Sequence, residues 1–138
     1  MEVLMAKQYS VFLPNEPGSL KRLAKMFSDE GINLIGIASE VRDDSGVVRI
    51  AVEEGVDGAD VLVRNGFSAV EKPLLSVELA NRPGELYRVA DALAAAGVNI
   101  TTVYGSGFSG ESCRMLIAVN DSKKAMKALE AYGAGAKE

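Results

Sequence analysis

Asn15-Glu16-Pro17-Gly18 and Asn81-Arg82-Pro83-Gly84 are the residues best placed to do chemistry, and they stand 66 positions apart. Each precedes an apolar stretch with helical spacing. Gly18 and Gly84 have no Cβ, so a ligand can approach the backbone closely. The N–H groups opening a helix, around Gly18 to Leu20 and Gly84 to Leu86, lack partners within that helix. Together with the helix dipole they make a receptor for an anion such as a carboxylate. The amides of Asn15 and Asn81 either close the turn locally or bind something outside it. A plainer reading stands beside this one, because Asn-x-Pro-Gly is by itself a turn and helix-start signal. Repetition does not decide between them, since a duplicated fold repeats its structural needs too.

Other chemistries fare worse. The 138 residues include no histidine, which removes the commonest general base and the commonest transition-metal ligand. Neither a Ser-His-Asp nor a Cys-His nucleophile can be built. Asp43, Asp44, Glu53, Glu54, Asp57 and Asp60 lie close in sequence without the oxygen-ligand spacing of a divalent-metal loop, so they read as a solvated acidic surface. No metal and no cofactor is expected. Gly105-Ser-Gly-Phe-Ser-Gly110 resembles a phosphate cradle but lacks the following Lys-Ser/Thr and helix, so it reads as a hairpin tip. The single cysteine, Cys113, opens a strand with no activating partner and reads as a buried or half-buried thiol.

Composition narrows the class further. Net charge is −4 with no Lys/Arg run, and tryptophan is absent, which argues against a nucleic-acid partner. The apolar fraction of 48% supports a core, while no apolar run reaches bilayer length, so no membrane partner is expected. MEVLMAKQYS carries an early Glu and no signal-peptide apolar stretch, and one cysteine permits no internal disulfide. A cytoplasmic location is the expectation.

The elements that must position the two turns also repeat. Tyr9, Val11 and Leu13 alternate as Leu75, Val77 and Leu79 do, which predicts a strand before each turn. Leu20, Leu23, Ala24 and Phe27 share a helical stripe, matched by Leu86, Val89, Ala90 and Leu93. Pro17 and Pro83 fit a first helical turn, and Gly31 and Gly97 fit helix ends. Ile32 to Val41 and Val98 to Tyr104 predict second strands, and VRIAV (48–52) and MLIAV (115–119) third strands. A second helix follows each, roughly Gly58 to Asn65 and Asp121 to Tyr132, with Asp121 as N-cap and Gly66 and Gly133 as C-caps. Phe67 to Lys72 predicts a fourth strand in the first half; the second half offers only AGAKE. The fold class is therefore α+β: two ferredoxin-like βαββαβ modules, each an antiparallel sheet with helices on one face. The first module spans 6–72 and the second 73–138, the latter with its last strand weak or missing. Modules this small leave a sheet face and edges to be covered, by each other and by a second chain.

Two in-register copies of strand, N-x-P-G-x-L, helix, G-[IV]-N-[IL], strand resemble the ACT domain, and the resemblance covers nearly the whole chain. It implies a regulatory module of amino-acid metabolism that binds an amino acid or similar metabolite between paired modules. On that resemblance Asn15, Glu16, Pro17, Gly18 and Ser19, with Asn81, Arg82, Pro83 and Gly84, cap the ligand's polar groups. Asn33, Leu34 and Ile35, or Asn99, Ile100 and Thr101, form the opposite wall. These lie near the far end of the helix and reach a turn only from another module. Arg82 offers a carboxylate an extra partner where the first module has Glu16. No enzyme activity is implied. The expected partners are an amino acid, a second copy of the chain in a dimer, and a separate metabolic enzyme as regulated target. The competing reading is a structural or protein-interaction module without ligand.

Overall fold

The computed structural model describes residues 2–42 and 45–135, with side chains except at 42, 106–109, 134 and 135. Asp43, Asp44 and the last three residues of AGAKE lie outside the described residues. The elements run β1 (Glu2–Pro14), α1 (Ser19–Asp29), β2 (Gly36–Arg42), β3 (Ser45–Glu53), α2 (Gly58–Arg64), β4 (Ser68–Ala80), α3 (Glu85–Ala95), β5 (Ile100–Ser109), β6 (Ser112–Val119) and α4 (Ser122–Gly135). They form two compact units. The first is Ala6–Lys72; the second joins Met1–Met5 to Pro73–Glu138.

In the first unit the strands lie in the order β2-β3-β1-β4. β3 runs antiparallel to both neighbours, with Tyr9 and Ile37 opposite Ile50, and Val11 opposite Val48. Period-two alternation then sends Tyr9, Val11 and Leu13 to the face that also carries Val48, Ile50 and Val52. Leu23, Met26 and Phe27 of α1 and Val61 and Leu62 of α2 close that core. The expected stripe shifts along the helix: Leu20 and Ala24 are exposed and Met26 takes a buried place. α3 begins its burial at Val89 in the same way, with Leu86 half-exposed. A helix that starts straight out of a tight turn meets its sheet only from the second turn onward.

The second unit has the order β5-β6-β4, with β1 as the neighbour of β4. Leu75 faces Ile117 and Val77 faces Met115 across an antiparallel ladder. Leu75, Val77, Leu79, Val89, Leu93, Ile117, Ala125 and Leu129 build its core. Val3 and Met5, at the start of β1, pack against that core. The start of β1, from the other end of the chain, is thus part of this unit. Sequence order hides this because pairing depends on proximity in space. α4 meanwhile continues through Gly133 to Gly135, so Gly133 is not a C-cap.

Several boundaries move. β4 is continuous from Ser68 to Ala80, so the expected strands at 67–72 and 75–79 are one element, with Pro73 at the junction of the units. Residues 32–35 precede β2 rather than belonging to it. The 105–109 segment is strand, and the β5–β6 hairpin turns at Gly110 and Glu111, not at a loose 105–110 tip. Ladder hydrogen bonds to β6 extend a strand through glycines that carry little propensity of their own. The helix ends behave as expected. Ile32 N–H donates to Phe27 O (2.9 Å) and Val98 N–H to Leu93 O (2.9 Å), each beside a left-handed glycine. Asp121 caps α4 by accepting from Lys124 N–H at 3.1 Å.

One contact in the first unit admits no side chain. A Cβ on Gly58, which opens α2, would lie 2.6 Å from Tyr9 Cε2. Tyr9 is buried and among the described residues its hydroxyl meets no hydrogen-bond partner, and burial, then the neighbouring Glu71 carboxylate, push its pKa up to about 12. Gly58→Ala should therefore destabilise the chain by roughly 1–3 kcal/mol, read from the urea midpoint. Deletion of residues 1–5 should cost about 3 kcal/mol through loss of the Val3 and Met5 packing. Amide exchange should then quicken in β4 and β6 of the second unit and stay slow in β3.

Candidate functional site

Each strand–helix turn is built by a left-handed glycine. Gly18 has φ 91° and ψ −13°, and Gly84 has φ 92° and ψ −11°. A Cβ at either would meet nothing within 4 Å, so the backbone angle, not crowding, selects glycine there. These residues are the N-caps of α1 and α3, and neither helix has a side-chain cap bond. Pro17 and Pro83 consequently stand one residue outside the helix instead of in its first turn. They still restrict the approach angle, with Glu16 N–H donating to Pro14 O (3.0 Å) and Arg82 N–H to Ala80 O (3.0 Å).

The first helical ladder bonds run from Arg22 N–H to Gly18 O (3.0 Å) and from Arg88 N–H to Gly84 O (3.1 Å). The amides of Leu20 and Lys21, and of Leu86 and Tyr87, thus open the helices with no carbonyl four residues back inside the helix. Asn15 and Asn81 are exposed, and among the described residues their side chains make no hydrogen bond. The local-closure reading of these two amides is not what the side chains do. Asn81 is positioned through its backbone, its N–H donating to Glu111 O at 2.6 Å. Glu16, Pro17, Arg82 and Pro83 are exposed and Ser19 is half-buried.

The residues expected to form an opposite wall are not gathered at the turn of their own unit. Asn33, Leu34 and Ile35 follow α1, a helix of 11 residues and hence about 16 Å long, at its far end. Leu34 packs on the first core, and Ile35 N–H donates to Ala51 O at 2.8 Å. Asn99 and Asn120 bind reciprocally: Asn99 N–H donates to Asn120 Oδ1 (2.9 Å), and Asn120 N–H to Asn99 O (3.1 Å). Ile100 packs on the second core, and Thr101 Oγ1 donates to Ala118 O at 3.2 Å.

The two turns differ in charge. α1 has no acidic residue in its first turn, whereas α3 begins with Glu85. Glu85 accepts from Arg82 Nε at 2.9 Å and from Arg88 Nη1 at 3.4 Å. The Arg82 hydrogen bond holds the Glu85 carboxyl below the usual carboxylate range, against the opposing effect of burial. Arg82 therefore already has a carboxylate. Sequence reasoning missed Glu85, although Arg82-x-x-Glu85-x-x-Arg88 places both arginines one helical turn from it. Among the described residues no group of three His, Cys, Asp or Glu could hold a metal ion, and no helix is long and apolar enough to cross a membrane.

The family model described as an ACT domain pair matches residues 4–131. The chain belongs to the ACT domain pair family. Among solved structures, protein BT0572 from Bacteroides thetaiotaomicron superposes with a TM-score of 0.83 at 26% identity, covering 94% of this chain and 89% of that one. The regulatory subunit of aspartate kinase from Thermus thermophilus gives a TM-score of 0.70 at 18% identity, covering 99% and 96%. The aspartokinase alpha and beta subunits give 0.66 at 17% identity, covering 97% and 98%. The last two likenesses are of fold. No curated protein sequence matches the chain.

The ion pairs of the second ACT unit have a direct readout. In a carbon-detected NMR titration Glu85 should titrate below the ordinary glutamate value, because its charged form is held by Arg82. Arg82→Ala should move its midpoint upward toward that ordinary value, and Lys21→Ala should leave it unchanged.

Proposed function

We propose that this ACT domain pair is a non-catalytic regulatory protein that binds a small carboxylate-bearing metabolite, an amino acid foremost, at the strand–helix turn of its first module. The observation that carries this reading is the unanswered polar group set of that turn. A left-handed Gly18 gives α1 no side-chain cap: Ser19 N–H donates back to Glu16 O at 3.3 Å, the Leu20 and Lys21 amides have no carbonyl four residues back inside the helix, Asn15 makes no hydrogen bond among the described residues, and no acid stands in the first helical turn. Asn15, Glu16, Pro17, Gly18 and Ser19 would hold the carboxylate and its neighbours. Asn33, Leu34 and Ile35 of a second copy would form the opposite wall, since their own turn is out of reach.

A second copy has a surface to meet. β2 is the outermost strand of its unit, and Ile37 and Val41 on it are half-exposed. They stand symmetrically about Ser39, so two copies pairing antiparallel along β2 would set each Ile37 opposite a Val41. The regulated target is then a separate metabolic enzyme, in keeping with the aspartate kinase regulatory subunit whose fold it shares, and the setting is cytoplasmic. For the second module a structural reading is favoured by Glu85, which places its own carboxylate between Arg82 and Arg88. Asn81, Arg82, Pro83, Gly84, Asn99, Ile100 and Thr101 would then hold backbone and charge in place.

Thermal-shift screening against the common amino acids tests this. A ligand at a hundredfold its Kd should add about 2.7 kcal/mol of stability. Asn15→Ala should abolish the response and Asn81→Ala should keep it. No response from any amino acid, or one lost with Asn81 and kept without Asn15, overturns the reading.

A further inference from the structure

A cleft of about 250 Å³ opens on the first unit, lined by Glu40, Ser45, Val47 and Arg49. Register places these side chains in a grid. Glu40 is opposite Val47, which is opposite Phe12; Ala38 is opposite Arg49, which is opposite Ser10. All lie on the sheet face away from the helices, because Val48, Ile50 and Val52 point into the core. Phe12 is 51% exposed beside the half-buried Val47, giving an apolar row next to a charged one. Arg49 Nη1 donates to Glu40 Oε1 at 2.8 Å. A guanidinium has five N–H donors, and among the described residues Glu40 is the one partner of Arg49, whose side chain is 29% exposed.

We propose that this cleft is a second small-molecule site, for a zwitterion with a short apolar substituent. The forked donors of Arg49 not engaged by Glu40 take the carboxylate. The Glu40 carboxylate takes the ammonium, so both protein charges keep a partner when the ligand enters, and neither is left desolvated alone. Val47 and Phe12 receive the substituent. Volume limits the occupant, since the cleft falls below the ~300–1,000 Å³ of drug-sized pockets. A plain anion would leave the Glu40 charge beside it, and a plain cation would meet Arg49, so both opposite charges are needed at once. The proposal is independent of the Gly18 turn.

Amide NMR titrations with three probes test it: L-valine, 3-methylbutanoate, which drops the ammonium, and isobutylamine, which drops the carboxylate. L-valine should shift the Val47 and Arg49 amides saturably, with each half-probe about tenfold weaker or worse. Arg49→Gln should weaken L-valine about tenfold, and Glu40→Gln should bring L-valine and 3-methylbutanoate within about twofold of each other. Equal midpoints for L-valine and 3-methylbutanoate in the unaltered protein overturn the proposal, and that comparison needs no variant to fold. So does undiminished L-valine binding by Arg49→Gln, or the absence of a saturable shift at 47 and 49. Shifts confined to Gly18–Leu20 overturn it while leaving the turn reading intact.

Discussion

A glycine near φ +90° between strand and helix is the constraint from which both units follow. At Gly18 and Gly84 the backbone reverses in one residue, so the helix leaves the strand at an angle that brings only its second and third turns onto the sheet. Three consequences come with it. Leu20 and Leu86 fall outside the cores, the N-cap position has no side chain to satisfy the helix, and the amides of residues 20, 21, 86 and 87 have no carbonyl four residues back inside the helix. An alanine would fit the space at either turn, yet L side chains disfavour that backbone region by roughly 1–2 kcal/mol. The same geometry that starts the fold therefore leaves a polar opening.

What the opening does depends on charge. Around Gly18 the first helical turn is free of acid, and the positive end of the dipole is unopposed within it. Around Gly84 the chain contributes Glu85, which draws in both Arg82 and Arg88. The two ACT units carry the same backbone and opposite electrostatic histories. The two turns share φ and ψ to within a few degrees, while one side chain at the head of the helix decides whether a carboxylate gathers the neighbouring arginines.

Much of the fold was legible because the signals are short-range. Alternation at 9–13 and 75–79, stripes in the long helices, and Gly31 and Gly97 as helix ends each depend on neighbours within a few residues. The errors cluster where a distant partner intervenes. Residues 105–109 become strand because β6 lies alongside, and β4 runs unbroken through Pro73 where two separate strands were expected. Of the site, the turns were legible and their occupancy was not. Arg82 read as a free partner for a ligand, although Glu85 stands three residues on and pairs with it at 2.9 Å.

The amino-acid sequence alone determined the two-module βαββαβ order, the paired Asn-x-Pro-Gly turns and the ACT likeness, because period, capping and turn chemistry are local properties of the chain. Tertiary structure alone decided that Glu2–Met5 serves the second unit, that Asn120 holds Asn99, and that Arg49 and Glu40 meet over Val47. Those are pairings between residues far apart in the chain or on adjacent strands. Their register is set by which side chains a shared core can bury, a choice made only when the whole unit folds.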